Sequence, residues 1–535
     1  MSRRSRSASL WAFRLLFAAL LLTFLPKGLA EGKRLGLLGP HPLYAVTGEE
    51  EPLAQVRGFV QWLFNWTRPL PRTADDRPVP YTELPPFGVN VFLEQEADPA
   101  VRERTVRAAS EAGFRWIRQE FPWEDIEIHG KGDFEDRRHL PHRSAWEKYD
   151  EIVALAEAYD LEIIARLSNP PAWSRAAGDA NGTYAPPDDF DDYGDFVATV
   201  AERYKGRIRF YQIWNEPNIY PEWGNQPVDP VAYTRLLCLA YRRIKAVDPQ
   251  AVIITGALAP TDQLGTPIAE GGNNLMDTLF LQRMYDAGAK DCFDILAVND
   301  YMLRSGPTDR RLRPQLINFS RPMWVRDVMV ANGDAAKPIW ITEMNSNAVP
   351  EGMPAPYGRV NEAQQARYAV EALERIQREW PWVGVVNLWF LRRPAETERD
   401  QPWYYFRLME PDFTPLPVYE ALRDYLTTLE PTLYRGVHAA GSWQIAFEGD
   451  WQALEAGSRL GSAGAALSLR WEGQSLVLRG ALEEGGRLCY TVDGGDERCT
   501  ASGEIEVGGG LLPERHTLTL RVEAGTFRLD WVEVR

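Results

Sequence analysis

Histidine and cysteine are scarce in this 535-residue chain, with 6 His and 4 Cys, none grouped at the spacing of a zinc site. That scarcity argues against a protein-bound catalytic metal. A cofactor-binding turn is missing as well. The segment after the first expected strand reads "LEQEADP" and has no glycine, whereas a dinucleotide-binding open sheet places a Gly-rich turn there. No cofactor is therefore expected. There is no long low-complexity tract. Positive charge is in deficit, with 59 Lys and Arg against 75 Asp and Glu and a net charge of −16. An acidic surface repels phosphate backbones, which argues against nucleic acid as a partner.

Three arginines, Arg3, Arg4 and Arg6, open the chain, and Leu15–Leu25 is nearly all apolar. Gly28 and Ala30 then stand at the small-residue positions of a cleavage site. The apolar stretch is short for a spanning helix. Residues 1–30 are read as a cleaved signal peptide, which makes the protein secreted or cell-surface; an uncleaved anchor is the alternative. Export permits disulfides. Cys489 and Cys499 flank the Asp-Gly-Gly turn signal in "YTVDGGDER", and a bridge is expected between them. Cys238 and Cys292 read as small buried apolar groups.

Aromatics are plentiful, at 19 Trp, 21 Tyr and 21 Phe. Their ordinary role is core packing, but rings beside a catalytic group also make platforms for sugar faces. Residues 31–86 are Pro-rich and irregular, with an apolar stretch at Phe59–Trp66. A rhythm of short apolar runs and longer amphipathic ones follows over 87–432. Strands are expected near Gly88–Phe92, Arg115–Arg118, Glu162–Arg166, Phe210–Trp214, Val252–Thr255, Ile295–Val298, Pro338–Thr342 and Gly384–Trp389. Each is followed by a helical pattern, among them one at Phe190–Tyr204 capped by Asp189 and one at Glu362–Glu379 capped by Asn361. The fold expected is α/β: a (β/α)8 TIM barrel, whose function sits where the strands end. From 433 to 535, alternating strands between Gly-rich turns predict a C-terminal all-β, jelly-roll-like sandwich.

Two of the expected strands end in the same way. "YQIWNEPN" carries Glu216 at the end of the fourth, and "PIWITEMN" carries Glu343 at the end of the seventh. Proline disfavours the helical region for the residue before it, so Glu216 is expected to be extended ahead of Pro217. One strand-end Glu reads as a salt-bridged rim residue. Two on one barrel face suit glycoside hydrolysis, in which a neutral acid protonates the leaving oxygen and an ionised partner attacks.

"IWNEPN" and "ITEMN", with Glu216 and Glu343 separated by 127 residues, resemble clan A glycoside hydrolases of the cellulase and β-xylosidase kind over residues 87–430. The resemblance implies a retaining glycosidase acting on the O-glycosidic bonds of an oligo- or polysaccharide, with Glu216 as acid/base and Glu343 as nucleophile. It also implies supporting roles. Asn215 would hold the sugar 2-hydroxyl, Arg118 would support the nucleophile, and Tyr301 would donate to it. Trp389 would floor the sugar and begin a non-proline cis peptide. Asn169 occupies a position where many members carry a polar sugar ligand. Members often carry His two residues before the Tyr, where this chain has Asn299. Trp123, Trp173, Tyr220 and Trp223 are candidate stacking rings in the following loops. A degenerate, non-catalytic carbohydrate-binding barrel and a transglycosylase using the same residues are the alternatives. The sandwich resembles accessory modules, for which a carbohydrate-binding role and a structural role are both open.

Overall fold

The computed structural model describes residues 41–267, 271–454, 457–508 and 514–535. Residues 1–30, expected to be a targeting segment, lie outside them. Eight parallel strands form the centre: β1 (Phe87–Val91), β2 (Trp116–Pro122), β3 (Glu162–Ser168), β4 (Phe210–Ile213), β5 (Val252–Ile254), β6 (Leu296–Asn299), β7 (Ile339–Met344) and β8 (Val383–Leu388). Neighbours in the sheet run β6-β7-β8-β1-β2-β3-β4-β5. Parallel bridges from Ile254 to Ile295 and from Leu258 to Val298 join the two ends. This is the (β/α)8 barrel that the alternating pattern predicts.

A helix precedes the barrel, α1 (Pro52–Leu63). One long helix then follows each strand: α2 (Pro99–Glu111), α3 (Trp146–Ala158), α4 (Phe190–Arg203), α5 (Pro230–Val247), α6 (Asp277–Asp286), α7 (Pro322–Ala331), α8 (Glu362–Glu379) and α9 (Pro417–Thr428). The Asp189 side chain accepts from the Asp191 N–H at the start of α4. Asn361 and Gln364 form a reciprocal capping box on α8.

The strand period of two builds the barrel interior in layers. Trp116, Phe210 and Trp340 form an apolar floor, their rings 5.0–5.1 Å apart, with Ile164, Val252, Ile295 and Val385 around them. Gly384 leaves room for one of these rings, since a Cβ there would lie 2.2 Å from Trp340 Nε1. One step further along the strands stand Asn90, Arg118, Gln212, Thr342 and Asn387, all buried and all polar. The floor is closed by hydrocarbon, so any chemistry belongs at the opposite end.

The C-terminal region packs a six-stranded and a five-stranded antiparallel sheet face to face. Leu467, Leu469, Leu518 and Leu520 of one meet Leu476, Leu478, Leu529 and Val532 of the other. Arg378 of α8 pairs with Glu472 at 2.9 Å, and the Trp443 ring packs edge-on against Phe87. The expected Cys489–Cys499 bridge is present. The reading of Cys238 and Cys292 as unpaired apolar fillers is corrected, because they form a second disulfide, linking α5 to the turn before β6. The 54-residue separation between them holds β5 and α6, so the bridge joins consecutive βα units that the parallel sheet sets side by side.

Candidate active site

Five of the expected site residues converge at the strand ends. Arg118 on β2 is the hub. Its Nη1 donates to Glu343 Oε1 at 2.8 Å and to Asn90 Oδ1 at 2.9 Å; its Nη2 donates to Asn215 Oδ1 at 2.8 Å and its Nε to Gln212 Oε1 at 2.7 Å. Four acceptors surround one buried guanidinium, so its position is fixed and its charge is directed at Glu343. The Tyr301 hydroxyl donates to the other oxygen of Glu343 at 2.5 Å. Burial, and then the nearby Glu343 charge, push the Tyr301 hydroxyl well above its usual range, so it stays a donor. Glu343 thus accepts one charged and one neutral hydrogen bond, which hold both of its oxygens in place.

Glu216 sits differently. Its backbone has φ +33°, and that of Trp214 has φ +76°. The expected extended conformation is therefore corrected. Pro217 excludes the right-handed helical region, but the left-handed side also satisfies that exclusion. Two side-chain-bearing residues at positive φ within three positions store strain of about 1–3 kcal/mol each. The turn is held from outside. Asn218 Nδ2 donates to the carbonyls of Ala259 and Leu275, and its Oδ1 accepts from the Ala259 N–H. Gly256 permits the close approach, since a Cβ there would lie 3.0 Å from the Ile213 carbonyl and 3.1 Å from Pro217 Cδ.

The Glu216 carboxyl accepts one side-chain hydrogen bond, from Asn299 Nδ2 at 2.7 Å. Asn299 is oriented in turn by Thr342 Oγ1, which donates to its Oδ1 at 3.0 Å. Burial, then the charges of Glu343 and Glu222, raise the Glu216 carboxyl well above the usual range; the Asn299 amide pulls the other way. The result is two carboxyls, one favoured in its protonated form and one embraced by donors. Such a pair can give a proton and attack a carbon.

A second charged cluster adjoins the first. Glu120 on β2 pairs with Arg166 on β3 and accepts from Ser168 Oγ at 2.9 Å. Burial pushes the carboxyls of Glu94 and Glu222 each up to about 7. The charge of Glu120 adds to the rise at Glu94, whereas at Glu222 the Arg166 charge and a hydrogen bond from Asn215 oppose it. None of these four was singled out from sequence, although Glu120 lies two residues beyond Arg118 and so faces the same interior.

Trp389 stands half-buried at the end of β8, edge-on to Phe92, and the Trp389–Phe390 peptide is cis, as the resemblance implies. Asn169 lies after β3 at φ +56° and contributes its backbone carbonyl to Glu124; its side chain is not tied to the cluster. Trp123 and Trp223 are fully buried in the helix layer, Trp123 against Phe196 and Trp223 against Trp214, so they pack the core and offer no platform. Trp173 leans on Trp123. Tyr357, whose hydroxyl is raised by burial and by the Glu216 charge, faces the acid instead and packs against Phe406.

No family model matches the chain, and no curated protein is similar enough in sequence to be matched. Solved glycoside hydrolases of families 39 and 10 match it in structure. A family 39 glycoside hydrolase from the gut symbiont Bacteroides cellulosilyticus WH2 is 18% identical, over 85% of this chain and 83% of that one, with a TM-score of 0.48. A GH39 β-xylosidase from Caulobacter crescentus is 16% identical, over 85% of this chain and 97% of that one, with a TM-score of 0.43. Xylanase 10B from Thermotoga petrophila RKU-1, solved with xylobiose, is 15% identical over 64% of this chain and 93% of its own length, with a TM-score of 0.41.

Proposed function

We propose that this chain is an exported retaining β-glycosidase that hydrolyses O-glycosidic bonds of an oligo- or polysaccharide. Glu216 protonates the leaving oxygen while a Glu343 carboxylate oxygen attacks the anomeric carbon, breaking the glycosidic bond and forming a glycosyl ester. Glu216, now ionised, then takes a proton from water, which attacks the same carbon and releases Glu343. The observation that carries this reading is the contrast between the two carboxyls. Glu343 accepts from Arg118 and Tyr301, whereas Glu216 accepts, among the described residues, from the Asn299 side chain alone and has a raised proton affinity. Asn215, which accepts from Arg118, would hold the sugar 2-hydroxyl. Trp389 and Tyr357 supply aromatic surface beside the pair.

The test is a panel of aryl β-glycosides with the first-formed product followed by NMR. Turnover with a retained β-anomer supports the reading. An inverted product contradicts the double displacement. If no β-linked substrate turns over, and polysaccharide binding survives in the Glu343→Gln variant, the chain is a binding protein on a barrel scaffold.

A further inference from the structure

Helix α1 is apolar on both faces. Inward, Trp62 is buried and Gly58 meets Thr47 closely. Outward, Leu53, Val56, Val60 and Leu63 recur at helical spacing and are all exposed, Leu53 to 83%. Beyond the helix end the apolar surface continues through Phe64, Trp66 (74% exposed) and Leu70. Singly exposed apolar residues are ordinary, but seven large ones within residues 53–70 are not. The segment is firmly mounted. Asn65 donates to the Arg310 carbonyl at 2.7 Å and accepts from the Leu312 N–H at 3.0 Å, which fastens it to the loop that begins at Tyr301. Arg72 pairs with Asp327 of α7 at 2.7 Å.

Its charge departs from that of the rest of the molecule. Residues 52–72 carry Arg57, Arg68 and Arg72 and no acid, in a chain of net charge −16. The carboxylates just before α1 are largely engaged: Glu49 with Arg311 and Glu50 with Arg367, leaving Glu51 at the helix start. The apolar sequence Leu15–Leu25, expected to engage a membrane during export, ends 27 residues before Pro52.

We propose that the Leu53–Leu70 face is a seat for an anionic lipid surface, on which α1 lies in the plane of the interface with Trp66 and Phe64 inserted at headgroup depth. An exposed apolar stripe that ends in aromatic rings and carries Arg57 and Arg68 has the chemistry for this. An acidic body repelled by the same surface would be held with only this face toward it. Two copies of the face packed on each other would bring the like charges of both segments into one interface, which disfavours self-association as the explanation. The proposal is independent of the glycosidase reading.

The test is sedimentation of the exported protein, its N-terminus read by mass spectrometry, with vesicles of phosphatidylcholine alone or mixed with phosphatidylglycerol. The expected result is binding to the mixed vesicles, weakened about tenfold in a Leu53→Ser, Phe64→Ser, Trp66→Ser variant and by a similar factor in Arg57→Gln, Arg68→Gln. The second variant alters only exposed charge, so it reads the proposal even if the first folds poorly. Absence of binding overturns the proposal. So does equal binding by wild type and both variants, which places the contact elsewhere in the chain. A dimer in sedimentation velocity that the triple variant dissolves assigns the face to a second copy and also overturns it.

Discussion

The ends of β4 and β7 present the same residue type at the same barrel face and surround it in opposite ways. At β7, Glu343 receives a guanidinium, itself held by Gln212, Asn90 and Asn215, and a phenol whose ring packs against Phe406. At β4, Glu216 receives one carboxamide and lies within reach of the charges of Glu343 and Glu222, on a backbone at positive φ. Local sequence hardly distinguishes the two, since each is an apolar run ending in Glu with an Asn within two residues of it. The division of labour comes from side chains on other strands, so it is a property of the closed barrel.

The comparison breaks most sharply at Glu343. Glu343→Gln keeps the shape and removes the nucleophile, and kcat with an aryl glycoside should fall by about four orders of magnitude. A loss under tenfold would mean that the β7 end is not the reacting one. Arg118→Met should cost stability as well as activity. It leaves Glu343 buried without its cation, at about 3–5 kcal/mol in thermal or denaturant unfolding. Tyr301→Phe is the cleaner probe because it deletes one hydrogen bond to Glu343 and little else. Its expected loss in kcat/KM is about 10- to 100-fold, with Tm nearly unchanged.

How much of this was legible follows from the range of each signal. Eight strands and the helices after them were readable because periods of 2 and 3.6 are local; Asn361 and Asp189 as caps were local too. Glu216 and Glu343 were readable because a charge ending an apolar run stands out. The φ of Glu216 was not, because Pro217 rules out one conformation without choosing among the others. Cys238–Cys292 pairs across two βα units, and nothing near either cysteine announces it. Asn299 looked like a gap in the pattern when only its own strand was in view. It acquires a role from Glu216, 83 residues away. The Glu120–Arg166–Glu222 cluster was missed, although Arg118 and Glu120 share a face of β2, because its members come from three separate segments that only the fold brings together.

Smaller shifts test whether the β4 surroundings set the acid. Asn299→Leu removes the donor that favours the ionised carboxyl, so the proton affinity of Glu216 should rise and the basic limb of kcat/KM should move to higher pH. Glu222→Gln removes a neighbouring negative charge, and the same limb should move to lower pH. Each shift should be about one pH unit. Opposite movements are the signature; movement in a common direction would detach the limb from Glu216.

The smallest effect concerns stability. Glu222 titrates at about 7 in the folded chain against an ordinary value of 4.5. The folded state therefore binds this proton more tightly than the unfolded chain. Stability from this group is complete below pH 4.5 and declines as pH rises through about 7. For a half-buried carboxyl the loss across that window is on the order of 1–3 kcal/mol. Glu222→Gln cannot titrate, so its Tm should fall less than that of the wild type between pH 5 and pH 8, a comparison made by calorimetry in matched buffers. Parallel Tm profiles would mean that the Arg166 charge and the Asn215 hydrogen bond cancel the burial of Glu222. Its charge would then act on Glu216 at full strength well below neutral pH.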